Sequence, residues 1–346
     1  MKKIKMAIMG AGIWGHTHAY LYDKNPNVEI TGVCDLNISR AREVSEKFNF
    51  GSNTAFDDHI KMLNTIECDA VAIVTPDHLH RKLAVDCANH KKHILLEKPL
   101  ATTKEDVLAI VKAVKDSGVR IMVDLHNRWS PPFAITKKAI DEGEIGTPCS
   151  AYFRLNDTKW VATDMLSWAA KSSILWFLGS HSLDTLRWMF NDEVDTVYSV
   201  SSRGILEAEG VDTEDIFQSV IKFKNGGIAT MENGWITPNG HPCINDIKFN
   251  ITGPKGMFSL DLSNSQMIER FTDEKCDRPD VLVKHFIHSN PRGFSYESIN
   301  DFVNKLLTGD EFLVTLKDSV NTCLSILAII ESAKTGAPVK VEYINS

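Results

Sequence analysis

Residues Ile4 to Met9 form a short, almost wholly apolar run that passes without a linker into Gly10, Gly12 and Gly15 of the segment GAGIWG. An apolar run of that length bounded by turn residues reads as a buried strand, and the residues after Gly12 can continue as a helix. Three glycines at this spacing are weak evidence alone, and their place between a strand and a helix strengthens it. Gly10 permits the tight turn, Gly12 lets backbone approach a pyrophosphate, and Gly15 lets the helix pack closely on the strand. Amides at the helix start then face the phosphate charge. A second run, Val28 to Cys34, ends in Asp35, 20 residues beyond Gly15. A carboxylate there accepts hydrogen bonds from an adenosine ribose diol and repels a 2'-phosphate. The pattern predicts a nicotinamide dinucleotide site that favours NAD over NADP, with Gly10, Gly12, Ile13, Trp14 and Asp35 against the cofactor. Arg40 follows closely and can pair with a phosphate, with a solvated helix residue as the equal alternative. Trp14 either covers the cofactor or packs against the sheet.

The alternation continues. Ala70 to Val74 reads as a strand ended by Thr75-Pro76, Leu79 to Ala88 as a helix, and Ile94 to Leu96 as a strand closing in Glu97-Lys98-Pro99. Thr102 and Glu105 sit at capping-box spacing before the apolar periodicity of Val107, Ile110, Val111 and Val114, and Arg120 to Leu125 is one more strand. Strands separated by crossover helices imply a mostly parallel sheet with its ligand at the carboxyl ends, where Thr75, Pro76, Glu97 and Lys98 fall. Residues 1–125 are therefore expected to form a dinucleotide-binding domain. Near Asn127 the pattern changes. Pro131-Pro132 interrupts the chain before a helix from Ala134 to Glu142 and a turn over Gly143 to Gly146. A strand at Cys149 to Leu155, a helix from Leu178 and strands at Val194–Ser202, Ile216–Lys224, Ile228–Trp235, Ile247–Thr252 and Gly256–Leu262 follow. Two helices, about Ser298–Leu307 and Lys317–Lys334, and a short strand, Val339–Val341, close the chain. The expected class is α/β: a Rossmann domain joined to an α+β domain, residues 126–346, with a large, mainly antiparallel open sheet. Its C-terminal segment can pack back on the first domain.

With 346 residues, 43% hydrophobic and 24% charged, the chain has enough apolar material for two cores and does not read as disordered. A net charge of -7 gives no support to nucleic-acid binding. Seven scattered cysteines without a CxxC pair suggest a reducing compartment, and no run approaches the about 18 apolar residues of a membrane helix. A cytoplasmic protein is the expectation, with the basic start MKKIKM read as the first strand rather than a signal peptide. His16 and His18, His78 and His80, and His285 and His288 are closely spaced, but none completes a recognised zinc pattern, so no metal is expected. No serine lies in a GxSxG elbow.

The GAGIWG turn, Thr75-Pro76 with His80, Glu97-Lys98-Pro99, Asn127-Arg128, the Gly143 to Pro148 turn, His181 to Asp184 and the closing SAKTGAPVKV occur in order along almost the whole chain. In this the sequence resembles the glucose-fructose oxidoreductase / inositol dehydrogenase / MocA family. The resemblance implies reversible hydride transfer between a nicotinamide and a hydroxyl-bearing carbon of a sugar, inositol or related cyclic alcohol. It also implies a homo-oligomer, dimer or tetramer, assembled through the open sheet.

By the same resemblance Lys98 contacts substrate and nicotinamide ribose, Glu97 holds the lysine or cofactor, His80 lies beside the cofactor, and His181 binds substrate and transfers its proton. Asp184 lies three residues on and can orient that imidazole, bind a hydroxyl, or make an ordinary structural pair. Arg128 can hold an acidic or polyhydroxylated substrate or form an interdomain salt bridge, and the aromatics Trp160, Trp168, Trp176 and Phe177 can wall the apolar faces of a sugar. One departure stands out. Many relatives carry aspartate four residues before the histidine, where this chain has Phe177, which takes no proton. Asp157, Asp164 and Asp184 are the carboxylates placed to substitute. Two other functions remain open: transient oxidation with the hydride returned, giving epimerisation or bond cleavage, and a cofactor-binding sensor without turnover.

Overall fold

In a computed structural model describing residues 3–51, 53–263, 267–274 and 276–344, the chain divides into two units. One comprises the residues up to 125 together with 286–320, the other 126–285 together with the stretch from 321. In the first unit the apolar runs form a six-stranded sheet of β1 (Ile4–Met9), β2 (Val28–Cys34), β3 (Ala55–Phe56), β4 (Ala70–Ile73), β5 (His93–Leu96) and β6 (Ile121–Val123). Its order is β3-β2-β1-β4-β5-β6 and each neighbouring pair is parallel. Such strands are covered on both faces, so they need apolar residues at successive positions; all four residues of β4 are buried. The helices α1 (Ile13–Lys24), α2 (Ile38–Lys47), α3 (His59–Thr65), α4 (His80–Asn89) and α5 (Lys104–Ser117) connect them. Strand order reverses between β1 and β4, the switch point at which open α/β sheets bind ligands.

The start of α5 corrects one expectation. Its cap is Thr103, whose side chain accepts from the Asp106 amide, one residue beyond the expected Thr102 and Glu105. With that start Val107, Ile110, Val111 and Val114 all face inward, so burial of the stripe selects between two adjacent threonines.

In the second unit, α6 (Pro131–Asp141) begins on the two prolines instead of after them. The first helical turn has no intrahelical use for an amide hydrogen, so proline fits there without loss. The sheet runs β12-β11-β7-β10-β9-β8, flanked by the short C-terminal strand Val339–Lys340. Its strands are β7 (Ser150–Asp157), β8 (Val194–Ser202), β9 (Ile216–Phe223), β10 (Ile228–Gly234), β11 (Asn245–Gly253) and β12 (Gly256–Asp261). Only β7 and β10 pair in parallel; the other neighbours are antiparallel. In β9 buried and open positions alternate, the signature of a sheet with one covered face. The turn Asn225-Gly226-Gly227 joins β9 to β10, with Gly226 at a φ of 94°. On the covered face lie α7 (Ser180–Phe190) and a cluster of Phe133, Phe153 and Phe249, whose ring centroids are 5.3–5.7 Å apart. Before the C-terminal strand come the helices Phe294–Thr308, which belongs to the first unit and begins four residues before its expected start, and Leu316–Thr335.

Phe249 is fully buried and touches both other rings of that cluster. Replacing it with alanine is expected to cost about 3–5 kcal/mol, measured by urea unfolding.

Candidate active site

The glycine turn separates what the protein needs from what a ligand needs. Gly10 has a φ of 103°, and a Cβ on it would stand 2.4 Å from the Val74 carbonyl oxygen. A Cβ on Gly15 would stand 2.1 Å from the carbonyl oxygen of Gly10. Both glycines are thus demanded by internal packing. A Cβ on Gly12 would meet nothing within 4 Å, although Gly12 caps α1 with no side-chain cap in place. Bare backbone at an uncapped helix start suits a pyrophosphate. Asp35 lies just past β2, its Oδ2 accepting from the Ala11 amide at 2.8 Å and its Oδ1 from the Asn37 amide at 2.9 Å. It braces the turn, and each oxygen keeps a lone pair for a ribose diol. Ile13 is 64% exposed at the first helical position, Trp14 is half-buried, and Arg40 is exposed on α2. These residues fit an NAD molecule laid across the turn.

At the neighbouring strand ends, Thr75 and Pro76 follow β4, and Glu97 and Lys98 follow β5. Thr75, Pro76 and Lys98 are half-buried, Glu97 is buried, and the Lys98–Pro99 peptide is cis. His80 stands at the same strand ends, but its side chain is not open to a ligand. It is wholly buried, its Nδ1 2.7 Å from the Pro99 carbonyl oxygen and its Nε2 3.0 Å from that of Thr75. Burial lowers its pKa, against the two carbonyls, which favour the proton. His80 therefore ties the two strand ends together. The ladder continues past β6, where the Asp124 amide donates to the Leu96 carbonyl, bringing Asp124 alongside Glu97. His18 of α1 joins them: one ligand atom each from His18, Glu97 and Asp124 lie within 4.8 Å of one another. The His18 Nδ1 shares a 3.2 Å hydrogen bond with Tyr22, whose phenol pKa is pushed well up by burial and by the charges of Asp124 and Glu97.

In the second unit, His126, Asn127 and Arg128 are successive residues of the turn His126–Trp129, and all three dock on one face of α7. The ring of His126 lies 4.3 Å from that of His181, centroid to centroid. Asn127 donates to the Thr185 hydroxyl at 3.1 Å, and the Arg128 fork donates to both oxygens of Asp184 at 2.9 and 2.7 Å. Positions 181, 184 and 185 share a face because helical neighbours recur at three and four residues. Arg128 and Asp184 are 6% and 0% exposed. Of the alternatives open to these two residues the pairing selects the structural one: the Asp184 carboxylate is committed to Arg128 and not to the imidazole or a substrate hydroxyl, and the Arg128 fork to Asp184 and not to substrate, in a salt bridge that lies within the second unit. Asn233 of β10 fixes the first turn of α7, donating to the Ser182 hydroxyl and the Leu155 carbonyl.

Phe177 lies in the π-helical turn Leu175–Gly179 leading into α7, its ring 6.2 Å from that of Trp168 and 5.6 Å from that of Trp235. Trp176 is buried, while Trp160 is 40% exposed, its amide donating to Asn239. Asp164 is exposed and hydrogen-bonded to Thr163; Asp157 is buried at the end of β7 and accepts from the Asn245 amide group. Sequence reading passed over His126, His18 and Asp124 in these roles. The run Asp124-Leu125-His126-Asn127-Arg128 at a strand end was the available signal for two of them.

A glycine cradle at the switch point of a parallel sheet, with an acidic residue past the second strand, defines a dinucleotide-binding unit of the Rossmann type. Family models agree in both halves. Residues 4–125 match the "Oxidoreductase family, NAD-binding Rossmann fold" and residues 133–259 the "GFO/IDH/MocA C-terminal domain". The chain belongs to the GFO/IDH/MocA family, and it is an enzyme of the class that acts on sugar and polyol hydroxyls. It is 27% identical to levoglucosan dehydrogenase of Pseudarthrobacter phenanthrenivorans, over 100% of both chains. The crystal structure of myo-inositol 2-dehydrogenase from Lactobacillus plantarum superposes with a TM-score of 0.84 at 21% identity, covering 99% of this chain and 100% of that one. Scyllo-inositol dehydrogenase from Lactobacillus casei, solved with bound NAD(H) and scyllo-inositol, gives 0.81 at 19% identity, covering 98% and 99%. Among the described residues, no helix is long and apolar enough to cross a membrane.

Gly12→Val is expected to abolish NAD binding, followed by NADH fluorescence, while changing unfolding stability by no more than about 1 kcal/mol. Asp184→Ala leaves the Arg128 charge buried and is expected to cost about 3–5 kcal/mol. Replacing Arg128 and Asp184 together by methionine and leucine should recover most of that loss in the same unfolding assay.

Proposed function

We propose that this chain is an NAD-dependent dehydrogenase of a cyclic polyol or monosaccharide derivative, with Lys98 and His181 in proton transfer and substrate binding. The observation that carries the reading is the His181 imidazole, set in the first turn of α7 and packed against His126. Its support comes from three sides. Asn127 and Arg128 hold the turn bearing His126, and Asn233 holds the helix bearing His181. An imidazole so fixed keeps one orientation towards a hydroxyl, which general acid–base transfer requires. Lys98 stands at the end of β5, on the ligand-binding side of the dinucleotide sheet. Its ammonium group suits an alkoxide developing on substrate oxygen.

NAD supplies the hydride acceptor. The chain's own residues then have two tasks: to take the hydroxyl proton, assigned to His181 and Lys98, and to hold the ring. Phe177 and Trp168, both half-buried, are in ring contact and their open faces suit the C–H faces of a cyclic polyol, with the fully buried Trp235 packed behind Phe177. Phe177 belongs to that apolar wall and takes no part in proton transfer. His126 is the titratable side chain packed on His181 and takes the orienting role that a carboxylate at position 177 would fill. Relatives named for levoglucosan and inositols carry the names of ring compounds with such C–H faces.

The open face of the second sheet exposes Tyr198, Val200, Val220, Ile228 and Met257. A second copy of this chain is the proposed cover, giving a dimer or tetramer. Light scattering on the eluted protein should return a multiple of the 38.7 kDa chain mass, and Val220→Glu should shift it towards one chain.

The enzymatic reading is tested by NADH formation at 340 nm with NAD and a panel of inositols, aldoses and levoglucosan. Turnover with one ring class is expected, and His181→Ala and Lys98→Met should each lower kcat about 100-fold or more. Unchanged rates in both variants would remove these residues from the mechanism. Product formed without net NADH would point instead to transient oxidation, and NAD binding without any product to a sensor.

A further inference from the structure

We infer that His18, Glu97 and Asp124 form a buried site for one divalent transition-metal ion, of the zinc type, at the strand ends of the dinucleotide unit. The three residues come from α1 and from the ends of β5 and β6, and are 1%, 8% and 2% exposed. One ligand atom from each lies within 4.8 Å of the other two. The second observation is the imidazole itself. Its Nδ1 is occupied by Tyr22, while its Nε2, fully buried and turned towards the carboxylates, makes no hydrogen bond. Nε2 stands 3.7 Å from the Glu97 Oε1. That is too long for a hydrogen bond. It is close to the roughly 3.3–3.6 Å that separates two ligands placed about 2.0–2.2 Å from a tetrahedral zinc ion.

A water between these atoms would bring hydrogen bonds and no charge. A divalent cation brings two positive charges to two carboxylates held together in a buried position, and gives the Nε2 lone pair a partner. Mixed imidazole and carboxylate donors select zinc and its neighbours over magnesium and calcium, which prefer oxygen-only shells. Tyr22 on Nδ1 occupies the outer position that fixes a ligating histidine's ring. The ion would tie α1, which bears the glycine cradle, to the strand end that bears Lys98. No step of hydride or proton transfer passes through it, and it does not depend on the substrate.

The test uses full-length wild-type protein made in zinc-supplemented medium and purified without a metal-affinity tag. Mass-spectrometric metal analysis after desalting should find on the order of one equivalent per chain. After chelation, added Zn(II) should raise the melting temperature, and Co(II) should give visible ligand-field absorption. His18→Gln should abolish both responses, and Tyr22→Phe should weaken Zn(II) binding about 10–100-fold. Wild-type protein that carries no metal and responds to neither ion overturns the inference. So does Zn(II) binding that persists unchanged in Tyr22→Phe and His18→Gln, which would place the ion elsewhere. If His18→Gln does not fold, the wild-type titration and Tyr22→Phe decide the question.

Discussion

The close packing of α1 on β1 is the contact from which the dinucleotide unit is organised. It requires a residue without a side chain at Gly15, because any Cβ there would strike the carbonyl of Gly10. It requires a second at Gly10, whose own Cβ would strike the carbonyl of Val74 beyond the next strand. The two glycines thus lock helix, turn and two strands into one geometry. Ala11 is held by Asp35, so the same turn is anchored to the end of β2. Within that frame Gly12 is the position left bare, and its bareness has a use only when something approaches from outside.

The polar residues behind the site divide into those that hold backbone and those turned to chemistry. His80 sits between the Thr75 and Pro99 carbonyls within hydrogen-bond distance of each, and Arg128 clamps Asp184. Each pairing is buried, where an unmet polar group is costly, so each specifies its local geometry strongly. His181 sits beside one such clamp and Lys98 beside the other. The strand ends also gather His18, Glu97 and Asp124, residues far apart in sequence.

The architecture was largely legible. Every long strand of both sheets was anticipated, because the parallel strands read as continuous apolar runs and the antiparallel ones as alternations. Two of the misplaced helix starts trace to competition between adjacent residues of similar capping power, at Thr102 and Thr103, and to a proline that can end one helix and begin another, at Pro131. The cradle residues were legible because their chemistry is local: three glycines and an acid at fixed spacing within one βαβ unit.

The polar partners were not legible, and the physical reason is distance along the chain. Asp184 shares a helical turn with His181, so proximity in sequence favours pairing them. The tertiary fold instead brings Arg128, 56 residues away, onto its carboxylate, because a buried bidentate ion pair outcompetes a looser local contact. His18 and Asp124 carry no spacing signal at all, since they meet only when α1 and β6 reach the same end of the sheet. The sequence by itself determined the fold class, the dinucleotide turn and its cofactor, since each follows from periodicity or from residues within one turn of one another. Which polar side chain faces which was decided only by tertiary structure, because hydrogen bonds and charges act over a few ångströms in space and take no account of separation along the chain.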